Sequence, residues 1–372
     1  MRVDERVILS RWALASIAAT FLLMGATVSA YGPLLEHLTR RFEVSLPVAG
    51  ATISVHFLGS LPGVLLAMWA IQRMRARDIV MAASVVVALG LAIIAAAFAW
   101  PVFLAGVLVV GLGFGALVLS LNQLVAYSAG RRRSALLNAL NGCYSAGAVT
   151  GPVLVAAFAG GHFATLYVAA ALVWLAAIPG ATGIAGRLPV TAGSPARPGA
   201  LVGIFICAFV LYVAVENGTG GWMTSHLEST GIPSTQAATV TSGFWLALVT
   251  GRLLITLVPP RVKESTIVLT GSALGAVALF LATFAPLAPF AYVAAGLVIA
   301  PIFPTGIVWL ARLRPGDSRA TAWLFPAASI GGTFGPGVIG VVIAGAGVAW
   351  APAVLALVAL GMFAAFLAAS RR

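Results

Sequence analysis

Tyr212-Val213-Ala214-Val215-Glu216-Asn217-Gly218-Thr219-Gly220-Gly221-Trp222-Met223-Thr224-Ser225-His226-Leu227 holds one carboxylate deep inside an otherwise apolar run. The fifteen residues before Glu216, Leu201 to Val215, carry no charge. Such a run reads as a membrane-spanning helix, and an ionised group at its centre costs about 2.5–3.5 kcal/mol on insertion scales. A charge kept at that cost marks Glu216 as a candidate functional residue. The three glycines after it each give up roughly 1 kcal/mol of helix propensity, so the helix is expected to loosen or break at Gly218–Gly221. The plainer alternative is a buried Glu hydrogen-bonded to a neighbouring helix, with the glycines serving close packing.

The composition extends the membrane reading to the whole chain. With 372 residues, 61% hydrophobic and 8% charged, it lies far from the soluble norm of about 25% charged. Spans of about 20 apolar residues can be marked at Trp12–Leu35, Val48–Ile71, Ile79–Trp100, Val102–Tyr127, Ala135–Ala159, Ala164–Ala185, Ala200–Met223, Gln236–Val258, Thr266–Ala285, Ala288–Leu310, Thr321–Ala346 and Val348–Ala369. That predicts an all-α membrane protein of twelve transmembrane helices.

A net charge of +12 would suggest nucleic acid in a soluble chain. Here the cations fall in alternate loops. With a cytoplasmic N-terminus, nineteen of the 21 Lys and Arg residues lie inside, and only Arg40 and Arg41 lie outside. The positive-inside rule therefore accounts for the basicity, no nucleic-acid partner is implied, and both termini are expected to be cytoplasmic. Cys143 and Cys207 both lie within expected helices, which disfavours a disulfide framework or a metal site. The remaining eight acids are expected at the N-terminus or in loops. No hydrolytic or redox constellation is present, so the reading is of a non-enzyme with no cofactor and no metal.

The stretch from Arg187 to Pro198 has linker composition. It divides the chain into residues 1–186, a linker 187–198, and residues 199–372, each flank with six spans. The halves echo one another: Ala51-Thr52-Ile53-Ser54 and Ala238-Thr239-Val240-Thr241, Phe114 and Phe303, and Gly151-Pro152 and Gly335-Pro336 recur at offsets of 187, 189 and 184. Parallel six-helix repeats of this kind form two-bundle transporters.

Several polar side chains fall inside the spans. His56 can bond a backbone carbonyl or relay protons. Gly111-Leu112-Gly113-Phe114-Gly115 superficially suggests a dinucleotide loop, but no strand precedes it and Arg131–Arg133 stand where an acid would be needed. Close helix packing explains it better. Asn122 carries an amide, and Asn138, Asn141 and Ser145 share one face of the fifth span with Tyr144 alongside. That face serves either interhelical hydrogen bonds or a hydroxylated solute. Tyr212, Phe244, Trp245, Phe303, Trp309, Trp323 and Phe325 in the C-terminal half form either an apolar wall for a solute or ordinary packing. Trp222, near a helix end, is expected to anchor the interface.

Three local patterns carry a family resemblance: Tyr212-Val213-Ala214-Val215-Glu216 ending in Gly220-Gly221-Trp222, Gly251-Arg252-Leu253-Leu254, and Phe303-Pro304-Thr305. On these the chain resembles the major facilitator superfamily, nearest the fucose–galactose–glucose:proton symporter branch typified by the L-fucose permease. The resemblance implies two six-helix bundles and alternating access. It departs from that branch at Gly32 and Val118, the positions nearest two proton-coupling acids, and its loop after the second span keeps only Arg73 and Arg77.

The expectation is thus a secondary active transporter of a small solute, a sugar or polyol coupled to protons or to sodium, monomeric in the lipid bilayer of a bacterial inner membrane. Glu216 is the expected coupling residue. Asn122, Asn138, Asn141, Tyr144, Tyr212, Asn217, Trp245 and Trp323 are the candidate solute contacts, and Arg73, Arg77 and Arg252 the gating or structural cations. Arg252 is expected to pair with Glu264 or Asp317. An exporter of amphipathic or aromatic compounds and a non-transporting receptor are the alternatives.

Overall fold

Unbroken apolar runs set the length of the helices, and prolines set most of their breaks. A computed structural model describes residues 8–128, 133–159, 161–187, 199–255, 261–314, 320–321 and 323–372. The helices are α1 (Arg11–Ser29), α2 (Tyr31–Phe42), α3 (Leu46–Ile71), α4 (Ala76–Ala95), α5 (Trp100–Ser128), α6 (Arg133–Phe158), α7 (Phe163–Ala177), α8 (Ala200–Ser229), α9 (Ser234–Leu254), α10 (Glu264–Leu281), α11 (Ala288–Ile299), α12 (Ile302–Leu313), α13 (Leu324–Ala346) and α14 (Ala351–Ser370). Short 3₁₀ turns precede α14 and follow α7. Two short strands, β1 (Ile8–Leu9) and β2 (Ile184–Ala185), pair antiparallel, a feature the sequence reading did not anticipate.

Eleven segments among the described residues are long and apolar enough to cross a membrane. The segment expected as the fifth span is the 26-residue helix α6, which is not among the eleven. Two expected spans are divided. Trp12–Leu35 breaks after Ser29, because Pro33 has no N–H for the Ser29 carbonyl and its ring crowds that carbonyl. The chain then continues as α2, which carries Glu36 to Phe42 and ends at a left-handed Glu43. Ala288–Leu310 breaks at Ala300–Pro301, where Pro301 and Pro304 leave the Leu297 and Ala300 carbonyls without backbone donors. Glu36, Asp78, Glu228 and Glu264, expected in loops, lie on α2, α4, α8 and α10.

The chain packs as two compact units: Met1–Thr27, Val55–Gly147 and Phe158–Pro195 in one, and Val28–Ser54, Ala148–Ala157 and Ala196–Arg372 in the other. In the first unit α4 packs along α5 and α7. There Gly59 and Gly63 of α3 lie against the Leu108 and Leu112 carbonyls of α5, while Gly111 and Gly115 lie against the His56 and Ser60 carbonyls of α3. The glycine-rich stretch of α5 is therefore a close-packing seam, as the sequence suggested.

In the second unit α8 is the central helix, touching α2, α9, α13 and α14. It runs without interruption from Ala200 to Ser229, so the expected break at Gly218–Gly221 does not occur. The glycines are spent on contact instead. Gly220 lies between the backbone of Gly32 on α2 and the indole of Trp245 on α9, Gly218 faces Ile339 of α13, and Gly221 faces Ile53 of α3. Trp222 is fully buried rather than an interface anchor. Its ring sits on Gly50 and Gly340, and its Nε1–H donates to the Pro336 carbonyl at 3.0 Å.

Candidate functional site

At the centre of the second unit a largely buried ion pair joins α8 to α9. Arg252 Nη2 donates to Glu216 Oε1 at 3.0 Å, and the two side chains are only 11% and 14% exposed. Tyr212, one turn before Glu216 on α8, is buried beside the same pair, its hydroxyl without a hydrogen-bond partner among the described residues.

Local sequence explains how a guanidinium reaches this position. Gly251 has no side chain, so α9 approaches the Leu297 carbonyl and the Ala300 methyl group at the end of α11. The next residue is Arg252, whose Nε donates to the Ala300 carbonyl at 3.4 Å. That carbonyl is available because the helical donor four residues on would be Pro304, which has no N–H. Gly251-Arg252 and Phe303-Pro304 are thus two halves of one device: the glycine brings the helices together, and the proline leaves an acceptor that fixes the guanidinium facing Glu216. Breaking one partner of such a pair leaves an uncompensated buried charge.

Around the pair, Phe303 stacks obliquely on Tyr212 at 5.9 Å and on Phe209 at 5.2 Å. Phe205, Trp309 and Phe366 continue the cluster. Further polar atoms of α8 and α9 that are buried without a hydrogen-bond partner among the described residues include three, Thr219 Oγ1, Ser242 Oγ and Trp245 Nε1. Buried polar groups are ordinarily satisfied, so these three are open to a bound polar molecule.

The sequence model of the Major Facilitator Superfamily matches residues 17–203, half of the chain. The chain belongs to the major facilitator superfamily. No curated protein matches it by sequence. Among solved structures, this superfamily member is similar to the transporter FucP in its outward conformation, at 16% identity and a TM-score of 0.68 over 96% of this chain and 98% of that one. It is similar to a D-xylose–proton symporter at 13% identity and a TM-score of 0.77 over 96% of each chain. It is also similar to the nucleoside transporter NupG at 15% identity and a TM-score of 0.75 over 96% of this chain and all of that one. At these identities the likeness is one of fold. As a superfamily member the chain is a multi-pass integral membrane transporter of a small solute rather than an enzyme.

The structure of this superfamily member brings some expected residues together and leaves others apart. Tyr212, Glu216, Asn217, Trp245, Arg252 and Trp323 belong to the second unit; Asn122, Asn138, Asn141 and Tyr144 belong to the first. Asn217 and Asn122 turn their amides back to the Val213 and Val118 carbonyls of their own helices, at 3.3 and 2.7 Å. Trp245 is buried and Trp323 exposed. Asn141 and Tyr144 are half-buried on α6, which also carries Asn138, whose side chain lies outside the described residues.

Arg252 pairs with Glu216 and not with the acids expected for it. Glu264 is taken by Arg312 at 2.9 Å, and Asp317 lies outside the described residues. Arg77 pairs with the adjacent Asp78 at 3.2 Å, and Arg73 stacks over the Trp69 ring at 4.5 Å. His56 is fully buried with its ring edge-on to Phe57 and Phe114. Sequence reading missed the Ala300 carbonyl, although Pro304 four residues later was a legible signal for it. It also missed why Gly32 stands where the branch carries an acid: a Cβ there would meet the Gly220 carbonyl.

Proposed function

We propose that this transporter carries a sugar or polyol with protons by alternating access, with Glu216 as the coupling residue and Arg252 as its counter-charge. The observation that carries the reading is the buried Glu216–Arg252 pair with the Tyr212 hydroxyl beside it. A proton reaching Glu216 neutralises the carboxylate and leaves the Arg252 cation without its counter-charge, while the Ala300 carbonyl still holds the guanidinium in place. Protonation and solute binding then act on the same helix. Trp245, Ser242 and Thr219 offer unused polar atoms to hydroxyl groups, and Asn122, Asn138, Asn141, Tyr144, Asn217 and Trp323 complete the proposed solute contacts. The fold likeness to a D-xylose–proton symporter supports the sugar class. The distribution of Lys and Arg supports twelve spans in two bundles of six, with both termini in the cytoplasm and residues 187–198 as the connection. A monomer in a bacterial inner membrane is part of the same proposal.

The test is Glu216→Gln in liposomes, with the solute chosen by a melting screen of monosaccharides and polyols. Glutamine keeps the shape but releases no proton, so pH-driven accumulation is expected to vanish while exchange between equal solute concentrations persists. Full accumulation by the variant would remove Glu216 from coupling. Loss of both activities would make it a binding or structural residue.

A further inference from the structure

At one end of the first unit the chain builds a hollow of about 340 Å³ lined by Arg75, Arg77, Thr182, Ile184, Ala185, Gly186 and Arg187. It is fixed by backbone pairing. β1 straps β2 through Ile8–Ala185 and Leu9–Ile184, the Ser10 amide bonds the Gly183 carbonyl at 3.3 Å, and the Ala76 amide at the start of α4 bonds the Gly186 carbonyl at 3.3 Å. Gly186 takes a φ of 91°, a left-handed turn that directs Arg187 out of the strand.

Three arginines thus line one hollow. Arg77 is offset by Asp78, but neither Arg75 nor Arg187 has an ion-pair partner among the described residues. Like charges gathered this way call for an anion, and planar guanidinium forks match phosphate oxygens. The surroundings indicate where that phosphate comes from. The hollow lies where α3 ends and α4 begins, at the end of two membrane spans. Trp69, exposed and stacked with Arg73, is suited to the membrane interface. Leu172 and Leu175 of α7, which leads into the 3₁₀ turn bearing Thr182, are exposed and apolar.

We propose that this hollow binds the phosphate of an anionic phospholipid headgroup, with the acyl chains lying along the exposed apolar side of α7. Basic pockets between membrane helices recognise headgroups in this way.

The experiment uses the full chain in detergent, with phosphatidylglycerol, phosphatidylcholine and inorganic phosphate as separate probes, read by native mass spectrometry and melting temperature. Wild type is expected to retain phosphatidylglycerol in preference to phosphatidylcholine by roughly tenfold or more. Arg75→Gln/Arg187→Gln should lose that preference while melting normally without lipid, since both side chains are exposed. Arg371→Gln/Arg372→Gln, which removes the same charge elsewhere, should keep it. Equal loss in both double variants would reduce the effect to net charge and overturn the proposal. No preference in wild type would also overturn it. Displacement of the lipid by millimolar inorganic phosphate, with the same melting shift, would assign the hollow to free phosphate and overturn the lipid source.

Discussion

Removing one side of the Glu216–Arg252 pair should cost far more than removing both. At 3.0 Å and an effective dielectric of about 20, the gross attraction is about 5–6 kcal/mol. Most of it offsets the desolvation of the two charges. The net worth of the pair is therefore small, whereas an orphaned partner is expensive: breaking a buried pair costs about 3–5 kcal/mol. With both side chains slightly exposed, the lower end applies. Arg252→Gln should destabilise the protein by about 3 kcal/mol, and Glu216→Gln/Arg252→Gln by about 1 kcal/mol, so that removing the second charge restores about 2 kcal/mol. In detergent melts this means a fall of roughly 5–10 °C for the single variant and under about 4 °C for the double. Should the double variant melt as low as Arg252→Gln, the cost would lie in lost packing and the Ala300 bond. The reasoning that an uncompensated charge dominates would then be wrong.

Gly32→Asp, which restores an acid at a position where the resembled branch carries one, should fail to insert stably because the side chain meets the Gly220 carbonyl; Gly32→Ala should cost about 1–3 kcal/mol through overpacking, both read as yield and melting temperature. Trp222→Phe keeps the ring on Gly50 but loses the bond to the Pro336 carbonyl, so a drop of about 0.6–1.5 kcal/mol is expected in the same assay. Burial, with Arg40 one turn on, holds the His37 imidazole below its ordinary value. The unfolded chain then binds the proton more readily, so stability is complete above the unfolded value near 6.5 and declines as pH falls below it. His37→Gln should flatten that decline in melts between about pH 7.5 and 5.5.

The membrane class was legible because it rests on unbroken apolar runs, which need no partner to be recognised. Glu216 stood out for the same reason, as one charge in an uncharged segment. What the sequence did not show were features that depend on a second helix. Gly218–Gly221 read as a break by local propensity, yet tertiary contact with α2, α9 and α13 overrides propensity and keeps α8 continuous. Trp222 had the position of an interface residue, and only the opposing Gly50 and Gly340 make it a buried one. The partner of Arg252 was misjudged because sequence distance said nothing of how Gly251 and Pro304 bring α9 to the end of α11.

The contacts of α8 also bear on how such a chain can change over generations. The spaces at its central glycines, Gly218, Gly220 and Gly221, are filled by Trp245, Ile339, Ile53 and the backbone of Gly32, and on the α13 side Gly331 and Gly335 press against its own backbone at Val210 and Ala214. A single enlargement on any of these surfaces meets an occupied space. The segment of α8 bearing the carboxylate is therefore closed to one-step enlargement at its glycines, and a new solute preference there must enter through trimming of the opposing side chains, Trp245 or Ile339 first, with α8 free to follow only afterwards.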